Sequence, residues 1–381
     1  MFRRVAKNYR FISYDISCYY SYRYYHNPST SSKQRFNDHD VVYDFRSDTV
    51  TTPTQQMFEA MVKASKGDDV YGEDKSTNDL ESYVAKLTGH EAALFTISGT
   101  MANQLALLSH LSYPPYSIIC DHRTHSYAHE AGGISFHSRA SVTPLIPMNK
   151  THITLSEIQS SIIPDTNIHN APTRVISLEN TLKGLIFPIK ELYKISEFAR
   201  NEGLKIHLDG ARLWNASAET GIEMKQYGKL FDSMSMCFSK GLGAPIGSII
   251  VGNMEFIKRA RHLRKLFGGG WRQSGLLAAA AKFALETNYP NRLKETHILA
   301  RELASGLSKL GIRIVNPVHT NMVFIDTSET KIGSTDALAE KLGEHGIKIS
   351  GDASTLTRLV VHYQIEKNAV ERFINVVSEI C

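Results

Sequence analysis

Phe238-Ser239-Lys240-Gly241-Leu242-Gly243-Ala244-Pro245-Ile246-Gly247 is the stretch whose reading decides the fold of this chain. A strand-like run, Asp232-Ser233-Met234-Ser235-Met236-Cys237, leads into it. A lysine at a strand end, with glycines at three nearby positions, suits an imine link to an aldehyde cofactor. The amine has to be partly desolvated to be neutral and nucleophilic. The glycines let the backbone turn close to a bulky group. A surface lysine in a turn is the plainer reading. A glycine-rich nucleotide loop is a third, but the spacing is G-x-G-x-x-x-G with Pro245 inside it, which is not the dinucleotide fingerprint.

Upstream, Leu204-Lys205-Ile206-His207-Leu208-Asp209-Gly210-Ala211-Arg212 reads as a short strand ending in an acid. Pyridoxal phosphate needs a carboxylate against its ring nitrogen, which keeps that nitrogen protonated and the ring a strong electron sink. An aspartate at the C-terminal end of a strand can project into the ligand crevice of an open α/β sheet. Asp209 followed by Lys240 is therefore the pattern of a pyridoxal enzyme of the aspartate-aminotransferase fold.

The chain has 381 residues, 42% hydrophobic, enough for a large core and two or three domains. Its net charge is +5, and residues 1–40, with seven Lys/Arg against three Asp/Glu, supply +4 of it. The nearly neutral remainder gives no electrostatic case for nucleic acid. The four cysteines, Cys18, Cys120, Cys237 and Cys381, show no CxxC or metal spacing and read as reduced thiols. No apolar run reaches the ~18 residues of a membrane span, and no internal repeat is visible.

Residues 1–40 stand apart. Met1 to Arg10 is basic, with Phe2, Val5, Ala6 and Tyr9 at helical spacing, and a Tyr/Ser-rich stretch follows. That is the composition of a mitochondrial transit peptide. An untargeted tail on a cytoplasmic protein is the alternative. Residues 41–288 are expected to form a large cofactor-binding domain, whose N-terminal segment is free to pack on a small C-terminal domain, residues 289–381. Successive buried strands joined by helices argue a mostly parallel sheet in the large domain. A β-α-β alternation is expected in the small one, with strands over 320–325 and 357–363 flanking a helix over 335–345.

Two further stretches carry chemistry. A strand over 91–97 runs into Ser98-Gly99-Thr100 and an apolar helix. A helix N-terminus with free N–H groups and a Thr hydroxyl can hold a phosphate. Asp121-His122-Arg123-Thr124-His125-Ser126-Tyr127-Ala128-His129-Glu130 invites a metal reading, and His125-x-x-x-His129 resembles zinc-helix spacing, but no Glu follows His125 directly. Stacking of an imidazole on the pyridoxal ring, on the face opposite Lys240, is the reading preferred over a metal.

In order along the chain, Asp44-Phe45-Arg46-Ser47-Asp48-Thr49, Gly67-Asp68-Asp69-Val70-Tyr71-Gly72-Glu73-Asp74 and Ser98-Gly99-Thr100-x-x-Asn103 resemble the low-specificity L-threonine aldolases. So do His125…Glu130-Ala131-Gly132-Gly133, Ser177-Leu178-Glu179-Asn180-Thr181, Asp209-Gly210-Ala211-Arg212, Ser239-Lys240-Gly241-Leu242-Gly243 and Gly268-Gly269-Gly270-Trp271-Arg272-Gln273-Ser274-Gly275. The match runs from Asp44 to Tyr363 and is similar above all to the fungal members.

The resemblance implies cleavage of L-threonine or L-allo-threonine to glycine and acetaldehyde. It implies that Lys240 holds pyridoxal phosphate, Asp209 binds its ring nitrogen, Arg212 its phenolic oxygen, and Gly99 and Thr100 its phosphate. His125 stacks on the ring, and Ser47 and Arg358 bind the substrate carboxylate. It also implies a homotetramer with sites between subunits, Tyr71 and Arg272 coming from the neighbouring chain. Two positions depart from many bacterial members. Leu182 stands where those have a histidine near the substrate hydroxyl, and His129 where they carry an aromatic. His129 is therefore a candidate for the base that takes the hydroxyl proton, with His125 or a water as the others.

Overall fold

The computed structural model describes residues 43–380. The basic segment 1–40, and with it the targeting expectation, lies outside the described residues.

After the short strand β1 (Tyr43–Asp44) come the seven strands of the main sheet. These are β2 (Ala92–Thr96), β3 (Ser117–Asp121), β4 (Ser141–Leu145), β5 (Thr173–Glu179), β6 (Lys205–Asp209), β7 (Ser233–Cys237) and β8 (Ser248–Gly252). Their order is β2-β8-β7-β6-β5-β3-β4. Only β8 runs against its neighbours, and the other pairings are parallel. Strands covered by helices on both faces read as continuous buried runs. β3, β7 and β8 are buried at every position.

β4 gave no strand signal because Pro144 interrupts it. It sits at the sheet edge, where a missing N–H leaves no neighbour unpaired. The helices show the expected periodicity. Helix Lys75–Thr88 buries Leu80 and Val84, and helix Ile189–Asn201 buries Leu192, Ile195 and Ala199. These side chains join Trp214, Tyr227 and Phe238 in one large core. Truncating a fully buried leucine such as Leu80 costs about 2–5 kcal/mol.

The C-terminal part has the expected strands on either side of a helix, with a further short strand between the helix and the second of them. Helix Asn291–Lys309 leads into β9 (Arg313–Ile314) and β10 (Met322–Asp326). Then come helix Thr335–Glu344, β11 (Ile347–Lys348) and β12 (Leu356–Val360). β12 pairs directly and antiparallel with β10, so the intervening helix is not a parallel crossover. β11 pairs instead, in parallel, with β1 from the start of the described chain. Phe45, just past β1, is buried in the C-terminal core, its ring 5.1 Å from that of Phe373 in an edge-on contact.

From there the segment crosses back. Asp48 meets Arg212, the Thr51 hydroxyl donates to the Lys240 carbonyl at 3.3 Å, and Tyr363 Oη donates to the Thr52 carbonyl at 2.8 Å. The first ten described residues thus tie the C-terminal part to the ends of the main sheet.

Candidate active site

The site is built at the C-terminal ends of β5, β6 and β7. Glu179 and Asp209 lie side by side as the last residues of β5 and β6. The Gly210 N–H donates to the Ser235 carbonyl of β7 at 2.8 Å. Lys240 is not at the strand end itself. It stands three residues beyond Cys237, in a turn closed by the Gly243 N–H donating to its carbonyl at 2.8 Å. Gly243 has φ +80°, and a Cβ there would stand 2.3 Å from the Tyr363 ring, so only glycine fits.

Ser98 caps helix Gly99–His110 by accepting the Met101 N–H at 3.1 Å. The N–H groups of Gly99 and Thr100 find no protein acceptor among the described residues. A Cβ on Gly99 would lie 2.9 Å from Cys237 Sγ, which puts this helix start against the end of β7. One turn on, Asn103 Nδ2 donates to Asp209 Oδ2 at 2.7 Å. A helix N-terminus with free donors, a strand-end carboxylate and a lysine turn therefore converge. Their chemistry fits the phosphate, ring nitrogen and aldehyde of pyridoxal phosphate.

Charge in the floor is arranged in layers. Burial pushes the Glu179 carboxyl well above its ordinary value, and the neighbouring Asp209 carboxylate adds to the push. Glu179 Oε2 accepts the backbone N–H of His125 at 2.7 Å, which fixes the start of the short helix His125–Ala128. His125 Nδ1 lies 2.9 Å from Glu130 Oε1. Glu130 also accepts Asn103 Nδ2 at 2.9 Å and Gln104 Nε2 at 2.6 Å. Atoms of His125, Glu130 and Asp209 able to ligate a metal lie within 4.8 Å of one another, and Asn103 Nδ2, donating to both, links the two acids. His129, the other half of the zinc-like pair, is not part of that group.

Arg212 faces Asp48. Its Nε and Nη2 donate to the two carboxylate oxygens at 2.8 and 2.6 Å, a bidentate fork. Burial alone would raise the Asp48 pKa, but Arg212, with Lys240 and Arg358 nearby, outweighs it and holds it at about 2. Asn321 Nδ2 adds a longer bond of 3.4 Å to Asp48. Arg358 Nη2 donates to the Arg46 carbonyl at 3.3 Å, which brings it beside Ser47. The Ser47 hydroxyl accepts from the Thr49 N–H and hydroxyl.

His129 ends the short helix, its ring 5.7 Å from that of His125 and at 60° to it. Burial lowers its pKa first, and the fields of His125, Lys183 and Arg358 lower it further. Leu182 is buried in the adjacent β-bridge with Leu185.

Tyr71 and Arg272 are not brought to this centre. Tyr71 is 79% exposed, and the nearest ionic partner of Arg272 is Asp68 at 3.8 Å. Their loops are locked to each other, since the Asp69 N–H donates to the Arg272 carbonyl at 2.9 Å. The buried pair Arg264–Asp69 pins both from below.

Asp48, Asn103, Glu130, Glu179 and His207 are site residues to which sequence reasoning gave no role. A signal existed for His207, which shares a strand face with Asp209 two positions on, and for Ser233 and Ser235, which alternate on the buried β7. Asp48 gave none, because Arg212 and Asn321, which it touches, are remote in sequence.

The chain matches the family model described as beta-eliminating lyase over residues 44–330. The low-specificity L-threonine aldolase of Eremothecium gossypii is 48% identical over 88% of this chain and 87% of its own length. Among solved structures, a threonine aldolase of Leishmania major covers 88% of this chain and 99% of its own, with a TM-score of 0.76 at 21% identity. A structure of SPT with PLP shares the fold at a TM-score of 0.68 and 16% identity, covering 88% of this chain and 86% of its own. From the strand-end carboxylate to the lysine turn, the sequence and its likenesses agree that the chain belongs to the low-specificity L-threonine aldolases, pyridoxal-phosphate-dependent carbon–carbon lyases of the beta-eliminating lyase family.

Proposed function

We propose that this chain cleaves L-threonine and L-allo-threonine to glycine and acetaldehyde, and so serves glycine formation and threonine breakdown. The observation that carries the reading is the convergence of Asp209, the Lys240 turn and the free donors of Gly99 and Thr100. Bound there, pyridoxal phosphate supplies a sink for the electron pair released at the substrate Cα.

The residues divide the remaining work. Lys240 holds the aldehyde group, Asp209 the proton on the ring nitrogen, and Gly99 and Thr100 the phosphate. Arg212, fixed by Asp48, offers its third nitrogen to the phenolic oxygen, and His125 covers the ring face. Ser47 and Arg358 grip the substrate carboxylate and so select Cα–Cβ as the bond presented for cleavage. A ring nitrogen of His129, kept neutral by its surroundings, takes the β-hydroxyl proton as acetaldehyde leaves. A second reading gives that proton to His125, whose Nδ1 is fixed by Glu130 while Nε2 remains to accept.

Tyr71 and Arg272 serve a neighbouring subunit's site within a homotetramer, a reading supported by their exposure on loops locked to each other. Residues 1–40 direct the chain to mitochondria, a reading supported by their basic, hydroxyl-rich composition. A fluorescent reporter fused to them tests it, and a diffuse cytosolic signal would sink it.

The central test measures acetaldehyde released from each substrate, with and without added pyridoxal phosphate, by wild-type and Lys240→Ala protein. Wild type is expected to release it from both, dependent on the cofactor. Lys240→Ala is expected to lack both turnover and the visible absorption band. A surviving band and rate would assign the cofactor to another lysine.

A further inference from the structure

Asn103 lies on helix Gly99–His110, is 2% exposed, and spends its whole amide on four partners. Nδ2 donates to Asp209 Oδ2 at 2.7 Å and to Glu130 Oε1 at 2.9 Å. Oδ1 accepts from Ser235 Oγ at 2.6 Å and faces His207 Nε2 at 3.3 Å. The orientation is dictated by chemistry, because an ionised carboxylate only accepts and the nitrogen has to face both acids.

The rest of the chain of bonds follows. With Oδ1 accepting, His207 carries its proton on Nε2, and its Nδ1 accepts from Ser233 Oγ at 2.8 Å. Ser233 Oγ in turn accepts from His110 Nε2 at 2.6 Å. Burial holds His207 down at about 4 and lowers His110 well below its ordinary value, so both rings are neutral and each gives one proton. Every donor from His110 onward thus points toward the two carboxylates.

We propose that Asn103 is a positioning residue that couples the two ends of the cofactor site, giving one proton to the carboxylate for the ring nitrogen and the other to the carboxylate that holds His125. A single rigid amide makes the charge on Asp209 and the setting of His125 depend on each other. Removing it leaves two buried acids short of a donor and takes away the positive end of the dipole that faces them. This inference rests on the roles given above to Asp209, Lys240 and His125.

The test uses the cofactor-loaded enzyme and three readouts: the pH midpoint of the visible band, the affinity for pyridoxal phosphate, and melting without cofactor. Asn103→Ala is expected to raise the midpoint by about one pH unit and to weaken cofactor binding about tenfold or more. Glu130→Gln is expected to move the midpoint in the wild-type background and not in the Asn103→Ala background, the signature of coupled rather than independent sites. Should Asn103→Ala fail to fold, Asn103→Ser carries the same comparison, since a hydroxyl has one proton and cannot donate to both acids. Equal shifts from Glu130→Gln in both backgrounds would overturn the proposal. So would an Asn103 variant that only melts earlier, with midpoint and affinity unchanged. A Lys240→Ala control that keeps its band would instead overturn the site assignment on which the proposal stands.

Discussion

The floor and the rim of this site are built on opposite terms. In the floor, Asp209, Glu130 and Asn103 are buried and satisfy one another within a single chain. At the rim, Tyr71 is 79% exposed, Leu266 71%, and Ile97 42%. Arg264 organises that rim from beneath, donating to the Phe95 carbonyl at 2.8 Å and pairing with Asp69. A buried polar group needs a partner wherever it is placed. Large apolar groups held out to solvent on well-anchored loops are what an interaction surface keeps. Under the proposed homotetramer, the floor is built within one chain and the rim meets a second copy.

The largest blow to the floor short of Lys240 is expected from Asp48→Asn. Asp48 is fully buried and Arg212 nearly so, and leaving one partner of such a pair charged costs about 3–5 kcal/mol. Denaturant unfolding measures it, and an unchanged midpoint would contradict the account. The pH dependence has a definite sign. The folded value, about 2, lies below the ordinary 3.8, so the pair's contribution is complete above pH 3.8 and is lost as pH falls through 2. Asp48→Asn should flatten the acid limb of the stability curve.

A smaller effect is expected at the boundary between floor and rim. His129→Phe should lower kcat for threonine by about a hundredfold, with the visible band intact. Because its surroundings lower the His129 pKa, the acid limb of the wild-type kcat profile should fall below the usual histidine value of 6.5 and vanish in the variant. Adding Leu182→His to His129→Phe should restore part of the rate. Wild-type kcat in the single variant would move the proton transfer to His125 or to a water.

The smallest effect on the protomer belongs to the rim. Arg272→Ala should leave melting unchanged and reduce turnover. Mixing its subunits with those of Lys240→Ala should recover activity, since one intact site then forms across the boundary. A fully active monomer by sedimentation, or a mixture that stays dead, would break the contrast between floor and rim.

Much of the floor was legible in sequence because its anchors are local. Asp209 and Lys240 each stand at or just past a buried strand, and Gly99-Thr100 at a capped helix start. The connections between anchors were not legible. Asn103 meets Asp209 across 106 positions, and Arg212 meets Asp48 across 164. Neither spacing has a period to betray it. In the small domain the order of strands and helix was legible, but the antiparallel pairing of β10 with β12 was not, because pairing is set by tertiary contacts.

The strap formed by residues 43–52 has a consequence for how the protein is made. β1 pairs with β11, and Thr52 binds Gln364 across 312 positions. A ribosome delivers the N-terminal end first, and folding proceeds as residues emerge. Ser47 and Asp48 therefore leave the exit tunnel long before the strands and helix that receive them exist. The main sheet can assemble while this segment waits, but Ser47 and Arg358, the pair proposed to grip the substrate, can meet only after β12 has emerged. Contacts that bridge so much sequence also close slowly, so under the proposed roles the newborn chain would form its cofactor bed before its hold on the substrate.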